Sequence, residues 1–139
     1  GNTVILDGYK LEMGDNGLVY VVSDQTYDEA VTIEAAPNQY KFENCTINEG
    51  MVLDGTVHAL HIYESRVAKG IEINASNTIV LSDVDFILED GEKILSSDLE
   101  MYELQFMVHN ITVNGVKING KTDFNQYVDI PNGYNFSLF

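Results

Sequence analysis

The sequence contains few of the residues that cross-link or rigidify a chain: one cysteine, two prolines and no tryptophan among 139 residues. Because Cys45 is alone, an internal disulfide and a cysteine metal cluster are both excluded. A lone cysteine in a strand-like segment is usually a small buried apolar side chain. The apolar runs are also short, so we expect no segment that inserts into a membrane.

Basic residues are scarce as well, with seven against 22 acidic residues and a net charge of −15. A protein that neutralises phosphates needs a basic patch, so nucleic acid is not an expected partner. An acidic surface of this kind is typical of a soluble extracellular protein. The chain enters an apolar segment directly after Gly1-Asn2-Thr3. We therefore expect either a mature product without a leader or a trimmed piece of a longer chain.

What the sequence does contain is a recurring six-residue pattern: apolar, any residue, turn-former, small or apolar, any residue, apolar. Its five copies begin at Leu6, Phe42, Ile62, Leu81 and Val113. The third position is filled by Gly8, Asn44, Glu64, Asp83 and Gly115. Four of these five tolerate the left-handed backbone that most residues adopt only at a cost. The flanking residues alternate with the strand period of two, and the helical period is missing.

The spacing of the copies indicates stacked coils. Asn44 and Glu64 are 20 residues apart, and Glu64 and Asp83 are 19 apart. This is the length of one turn of a three-sided β-solenoid. The first and last copies lie farther away, at 36 and 32 residues. The surplus predicts an insertion of about a dozen residues in each step, at 25–38 and 95–106, or else a degenerate coil.

Two segments resemble coils of the pectate-lyase-like right-handed parallel β-helix superfamily. They are Phe42-Glu43-Asn44-Cys45-Thr46-Ile47, which is followed by Gly50, and the stretch 77–86, which reads Asn-Thr-Ile-Val-Leu-Ser-Asp-Val-Asp-Phe. The resemblance covers roughly residues 3–120. The resemblance indicates a specific fold but says little about activity, because that superfamily contains lyases, hydrolases, phage tailspikes and noncatalytic surface proteins.

The repeat and the resemblance together predict an all-β chain: a right-handed parallel β-helix, or three-sided β-solenoid, of five to six coils. We expect a single domain over 1–139, in which 121–139 is a cap or a last partial coil. The bend residues Asn44, Glu64, Asp83 and Gly115 should align. The predicted inward-facing residues are Phe42, Ile47, Ile62, Val67, Leu81, Phe86, Val113 and Ile118.

The resemblance also implies where a catalytic site would lie, on the first strand of each coil and its loops. Polysaccharide lyases of the superfamily use an Arg or Lys base, often with Ca²⁺. The matching region here offers Lys69 and Lys93, but acidic neighbours would hold the proton on either amine. A carboxylate pair such as Asp54 and Glu72 is expected by chance among 22 acidic residues. We therefore predict no catalytic residues, and a polysaccharide lyase or glycoside hydrolase, or a fragment of one, is the alternative.

Metal ligands are not predicted either. His58 and His61 are three residues apart, which places them on opposite faces of a strand and makes no zinc pair. The acidic loops at 15–17 and 89–92 are candidates for Ca²⁺, but both are equally good turns. No cofactor is expected, and Ca²⁺ is the one ion that these loops would suit.

Stacking the repeats places basic and aromatic side chains on one outward surface. The residues that we predict to bind a ligand there are Lys41, His61, Tyr63 and Arg66, with the acidic neighbours Glu43 and Asp85. Tyrosine rings beside charged hydrogen-bonding groups are the composition of many sugar sites. The alternative is an ordinary solvated sheet with an ion-pair ladder between Arg66 and Asp85.

We therefore expect a secreted or cell-surface β-helix module that is noncatalytic and that binds, or is displayed against, a polysaccharide. Another alternative is a structural subunit of a phage fibre or surface filament, in which the solenoid is a rod. An open solenoid exposes strand edges at its ends. A homo-oligomer formed through these ends is therefore a further expected partner.

Overall fold

The computed structural model describes residues 9–14, 17–34, 39–54, 59–73, 78–97, 101–118, 124–129 and 134–138. These residues form one 3-10 turn, Phe124–Tyr127, and sixteen strands. The strands are β1 (Lys10–Gly14), β2 (Gly17–Ser23), β3 (Thr26–Tyr27), β4 (Val31–Glu34), β5 (Gln39–Glu43), β6 (Thr46–Ile47), β7 (Met51–Asp54), β8 (Ala59–Tyr63), β9 (Arg66–Ala68), β10 (Ile71–Ile73), β11 (Thr78–Leu88), β12 (Leu95–Ser97), β13 (Met101–Val113), β14 (Val116–Ile118), β15 (Val128–Asp129) and β16 (Tyr134–Leu138). None of the described residues form a helix long and apolar enough to cross a membrane.

The strands form two sheets. Sheet A runs β1-β2-β5-β8-β11-β9-β6-β3 and also contains β13, β14 and β16, whereas sheet B runs β15-β12-β10-β7-β4. Equivalent strands of successive coils pair in parallel, and the described exceptions are the antiparallel hairpins β1–β2 and β13–β14. The result is an all-β parallel β-solenoid of about three turns, fewer than the five to six expected.

A left-handed bend divides each coil where sheet A turns from its first strand to its second. The predicted bend residues Asn44, Glu64 and Asp83 have φ angles of 50°, 50° and 57°. This part of the prediction is confirmed. Asp24 (φ 59°) forms a further bend 20 residues before Asn44, which the sequence pattern missed.

The prediction of Gly115 as a bend is wrong. Asn114 and Gly115 both have positive φ angles, 50° and 79°, and form the tight turn of the β13–β14 hairpin. Such turns require left-handed residues, and Asn-Gly is a preferred pair for them. Apolar residues that flank a hairpin turn produce the same six-residue pattern as a coil bend.

The prediction of insertions at 25–38 and 95–106 is wrong, whereas the alternative, a further coil, fits the first surplus, because β3 pairs with β6 and β4 pairs with β7. Residues 26–27 and 31–34 are the regular strands β3 and β4, and 95–97 is the regular strand β12, which pairs with β10. The surplus length lies between Leu88 and Ile94. The step from bend to sheet B is seven residues from Glu64 to Ile71 and twelve from Asp83 to Leu95, because residues 89–93 form an extra loop.

The core lies between the two sheets. Six of the eight predicted inward residues are fully buried: Phe42, Ile47, Ile62, Val67, Leu81 and Phe86. Val113 and Ile118 are partly buried against this core. Each fully buried side chain of this size contributes roughly 1.5–3 kcal/mol by leaving water.

We expect the substitutions Leu81→Ala and Phe86→Ala each to lower the free energy of unfolding by about 2–5 kcal/mol, since each leaves a cavity in the core. Urea denaturation measures this change. Val116→Ala is the matched control, because Val116 is 64% exposed and should change stability by less than about 0.5 kcal/mol. Core variants as stable as this control would contradict the assigned inward face.

Two glycines test how closely the loops of neighbouring coils pack. Gly70 and Gly91 both have positive φ angles, 76° and 82°, but a Cβ at Gly70 would collide with the Lys93 carbonyl oxygen, whereas nothing lies near one at Gly91. We expect Gly91→Ala to cost about 1–2 kcal/mol and Gly70→Ala at least about 3 kcal/mol. Urea denaturation compares them. Equal losses would contradict the close approach of the two loops.

Candidate functional site

The candidate site lies on the outward face of sheet A, where β5 and β8 run side by side. Lys41 pairs with His61 and Glu43 pairs with Tyr63 in the strand register. Alternate residues of a strand point to opposite faces, so these four side chains point outward while Phe42 is buried. We call Lys41, Glu43, His61 and Tyr63 the outward cluster.

His61 and Tyr63 are joined by a short hydrogen bond. The His61 Nδ1 atom lies 2.8 Å from the Tyr63 hydroxyl oxygen, and the ring centroids are 5.8 Å apart. Burial lowers the pKa of His61, and the positive charge of Lys41 lowers it further. Burial raises the pKa of Tyr63. Both rings are therefore neutral near pH 7 and present polar atoms together with ring surface.

Lys41 supplies the positive charge of the cluster. Its Nζ lies 2.9 Å from Glu43 Oε1 and 5.6 Å from the centroid of the Tyr63 ring. The hydrogen bond to Glu43 raises the pKa of Lys41, and burial opposes this only in part. Both side chains of the ion pair are more than a third exposed, so the pair contributes little to stability. Its effect is to hold Lys41 beside the Tyr63 ring.

A shallow groove of about 720 Å³ begins beside Tyr63 and runs along the bends. Two serine hydroxyls and the Asn44 amide line it. Its carboxylates are those of Asp24, Glu43, Glu64 and Asp83. The six-residue pattern did not identify Asp24, although its spacing of 20 residues from Asn44 was the available signal. The Asn44 amide donates a hydrogen bond of 2.7 Å to the Asp24 carboxylate.

Arg66 does not join the outward cluster. It follows the bend, on β9, and lines a separate groove of about 300 Å³ together with Thr46 and Asp85. Arg66 pairs with Asp85 in the strand register, as the sequence predicted. The Asp85 carboxylate accepts a hydrogen bond of 2.9 Å from the Asn110 amide. Within the described part of the chain, the ion pairs are Lys41–Glu43 and Lys69–Glu49, so Arg66 remains available to solvent.

The lysines of the alternative lyase hypothesis are already engaged. Lys69 Nζ donates to Glu49 Oε2 at 2.5 Å, and this hydrogen bond raises the pKa of Lys69. Lys93 Nζ donates to the Gln126 carbonyl oxygen at 3.0 Å. A general base needs the opposite shift, so the arrangement of Lys69 does not favour proton abstraction.

The described residues bring together no group of three or more His, Cys, Asp or Glu side chains that could hold a metal ion. In the acidic loop, the Glu92 carboxylate accepts a hydrogen bond of 2.8 Å from the Glu89 backbone N–H, which closes a turn. The other Ca²⁺ candidate, at 15–17, has Asp15 and Asn16 outside the described residues, as is His58.

Comparison with family models, with curated proteins and with solved structures finds no match for this chain. The resemblance to pectate-lyase-like proteins therefore depends on the coil pattern alone.

The lowered pKa of His61 can be tested through the pH dependence of stability. Since burial lowers its pKa below the unfolded value of 6.5, the unfolded chain binds more protons below that pH. This contribution to stability is present above pH 6.5 and is lost as the pH falls through the folded pKa. We expect wild type to lose stability relative to His61→Gln between about pH 7.5 and about pH 5.

Urea midpoints of the two proteins across this range measure the difference. The many carboxylates and the other two histidines titrate in both proteins, so they cancel. Parallel curves would show that His61 titrates alike in the folded and unfolded chain.

Proposed function

We propose that this chain is a noncatalytic, secreted or cell-surface module that binds an uncharged polysaccharide through the outward cluster. The observation that carries the proposal is the preformed arrangement of Tyr63 with the His61 ring at 2.8 Å and the Lys41 ammonium at 5.6 Å. A sugar ring packs its C–H face on an aromatic side chain and bonds its hydroxyls to polar neighbours. The outward cluster supplies the aromatic ring and the polar neighbours on two adjacent strands, β5 and β8.

The solenoid supports an extended ligand. Equivalent outward positions of neighbouring coils lie about 4.8 Å apart, so an extended polysaccharide can contact several coils at once. Along the rows of the cluster, β11 continues with Val80, which is buried, and with Ser82, which is partly exposed beside Tyr63. Such a surface suits a repeating polymer better than a single small molecule.

The negative charge of the groove and of the whole chain favours a neutral ligand. The groove beside Tyr63 is lined by carboxylates, and none of its described lining residues is a lysine or an arginine. The net charge of −15 repels polyanions at long range. A polyuronate or sulfated chain would therefore meet repulsion, whereas a neutral glucan or mannan would not.

We further propose that the solenoid is right-handed and of the pectate-lyase-like type. Parallel strands joined within one sheet are connected by right-handed crossovers in almost all proteins. The coil pattern around Phe42 and Leu81 supports the same assignment. Binding through the outward cluster depends on neither the handedness nor the family.

The test is binding to immobilised neutral polysaccharides, with polygalacturonate as the acidic comparison and a chelator to reveal any need for Ca²⁺. We expect Tyr63→Ala to weaken binding to a neutral polymer at least about tenfold, because the ring contact is lost. Tyr63→Phe is the matched control, since it keeps the ring and removes the hydroxyl.

Arg66→Ala distinguishes the two grooves. Unchanged binding places the ligand beside Tyr63 alone, and weakened binding places it across the bend. Melting temperatures near that of wild type are required of every variant. If Tyr63→Ala binds as tightly as wild type, the cluster is a solvated surface and the proposal fails.

A further inference from the structure

Among the described strands, β1 stands at one end of sheet A and pairs on one side only. It pairs antiparallel with β2, with Lys10 opposite Val21 and Leu11 opposite Tyr20. Among the described residues β1 has no second strand neighbour. The backbone N–H and C=O groups on its far side are therefore a template for another strand.

The side chains of β1 divide between two faces. Leu11 and Met13 lie on one face and are 52% and 80% exposed, and the neighbouring Tyr9 is also exposed. Lys10 and Glu12 lie on the other face, both exposed. An edge strand usually carries charges that discourage pairing, and exposed apolar residues at an open edge indicate a contact surface.

We propose that β1 pairs antiparallel with β1 of a second copy about a two-fold axis at Leu11. In this register Lys10 lies opposite the partner's Glu12, and Glu12 lies opposite the partner's Lys10. Two cross-strand ion pairs then form on one face. On the other face Leu11 meets its own counterpart and Met13 meets the partner's Tyr9.

Charge complementarity selects this register among the symmetric alternatives. An axis at Lys10 would oppose the two copies of Lys10, and an axis at Glu12 would oppose the two copies of Glu12. Like charges directly opposite each other destabilise a strand pair. A register shifted by one residue would place Leu11 opposite a charged residue. The sequence of β1 is thus self-complementary about Leu11 alone.

The interface is small, so the dimer should be weak. A pair of five-residue strands buries less area than the roughly 1,200–2,000 Å² of stable complexes. We expect a dissociation constant between about 10 µM and about 1 mM, measured by sedimentation equilibrium at moderate salt. The expected species are the 15.5 kDa chain and its dimer.

Charge reversal separates specific pairing from net repulsion. Lys10→Glu and Glu12→Lys should each weaken dimerisation about tenfold, because each sets like charges opposite each other twice per dimer. Lys10→Glu lowers the net charge of −15 by two units and Glu12→Lys raises it by two. General repulsion would therefore weaken one variant and strengthen the other. The double variant Lys10→Glu/Glu12→Lys should recover to within about threefold of wild type.

Val116→Ser is the matched control, because it removes an exposed apolar side chain from β14 instead of β1. It should dimerise as wild type does. Circular dichroism confirms that each variant retains its sheet content. A wild-type chain that is monomeric up to about 1 mM, or a double variant as weak as the single ones, would overturn the proposal.

Discussion

The left-handed bend repeated along sheet A is the constraint on which the rest of this structure depends. It recurs at Asp24, Asn44, Glu64 and Asp83. The bend turns the strand without interrupting the stack, because its own N–H bonds the next coil. The Asn44 N–H donates to the Tyr63 carbonyl and the Glu64 N–H to the Ser82 carbonyl, both at 3.0 Å. Register therefore passes unbroken from the first strand of a coil to the second.

The outward cluster follows from this repetition. Its residues precede two successive bends by one and three positions, so a repeat of 20 residues brings Lys41 beside His61 and Glu43 beside Tyr63. This proximity was predictable from spacing alone. The position of Arg66 in a separate groove was not predictable from spacing. A bend changes the direction of the strand without changing the in-and-out alternation of its side chains, so outward residues before and after a bend need not share one surface. The hydrogen bond of 2.8 Å between His61 and Tyr63 depends on side-chain packing, which the sequence pattern does not predict.

The fold was predictable wherever the six-residue pattern reports burial, as at Phe42 and Leu81. The fold was not predictable where a polar residue stands at a position that the pattern expects to be small or apolar. After the bend at Asp24, Gln25 occupies a position that is small or apolar in the other coils. Its side-chain amide donates a hydrogen bond of 3.2 Å to the Ser23 carbonyl, so a polar residue is accommodated there. The first regular coil was therefore overlooked.

The two proposals meet on one face of sheet A. The strand register runs from Lys10 through Val21 and Lys41 to His61, so β1 and the outward cluster share that face. Pairing of β1 about Leu11 would continue the face into a second copy. At about 4.8 Å per strand, the two copies of β8 would lie about 34 Å apart. A short oligosaccharide cannot bridge that distance, whereas a long polysaccharide can. Dimerisation would then raise the apparent affinity for long chains through effective concentration and leave the affinity for short ones unchanged.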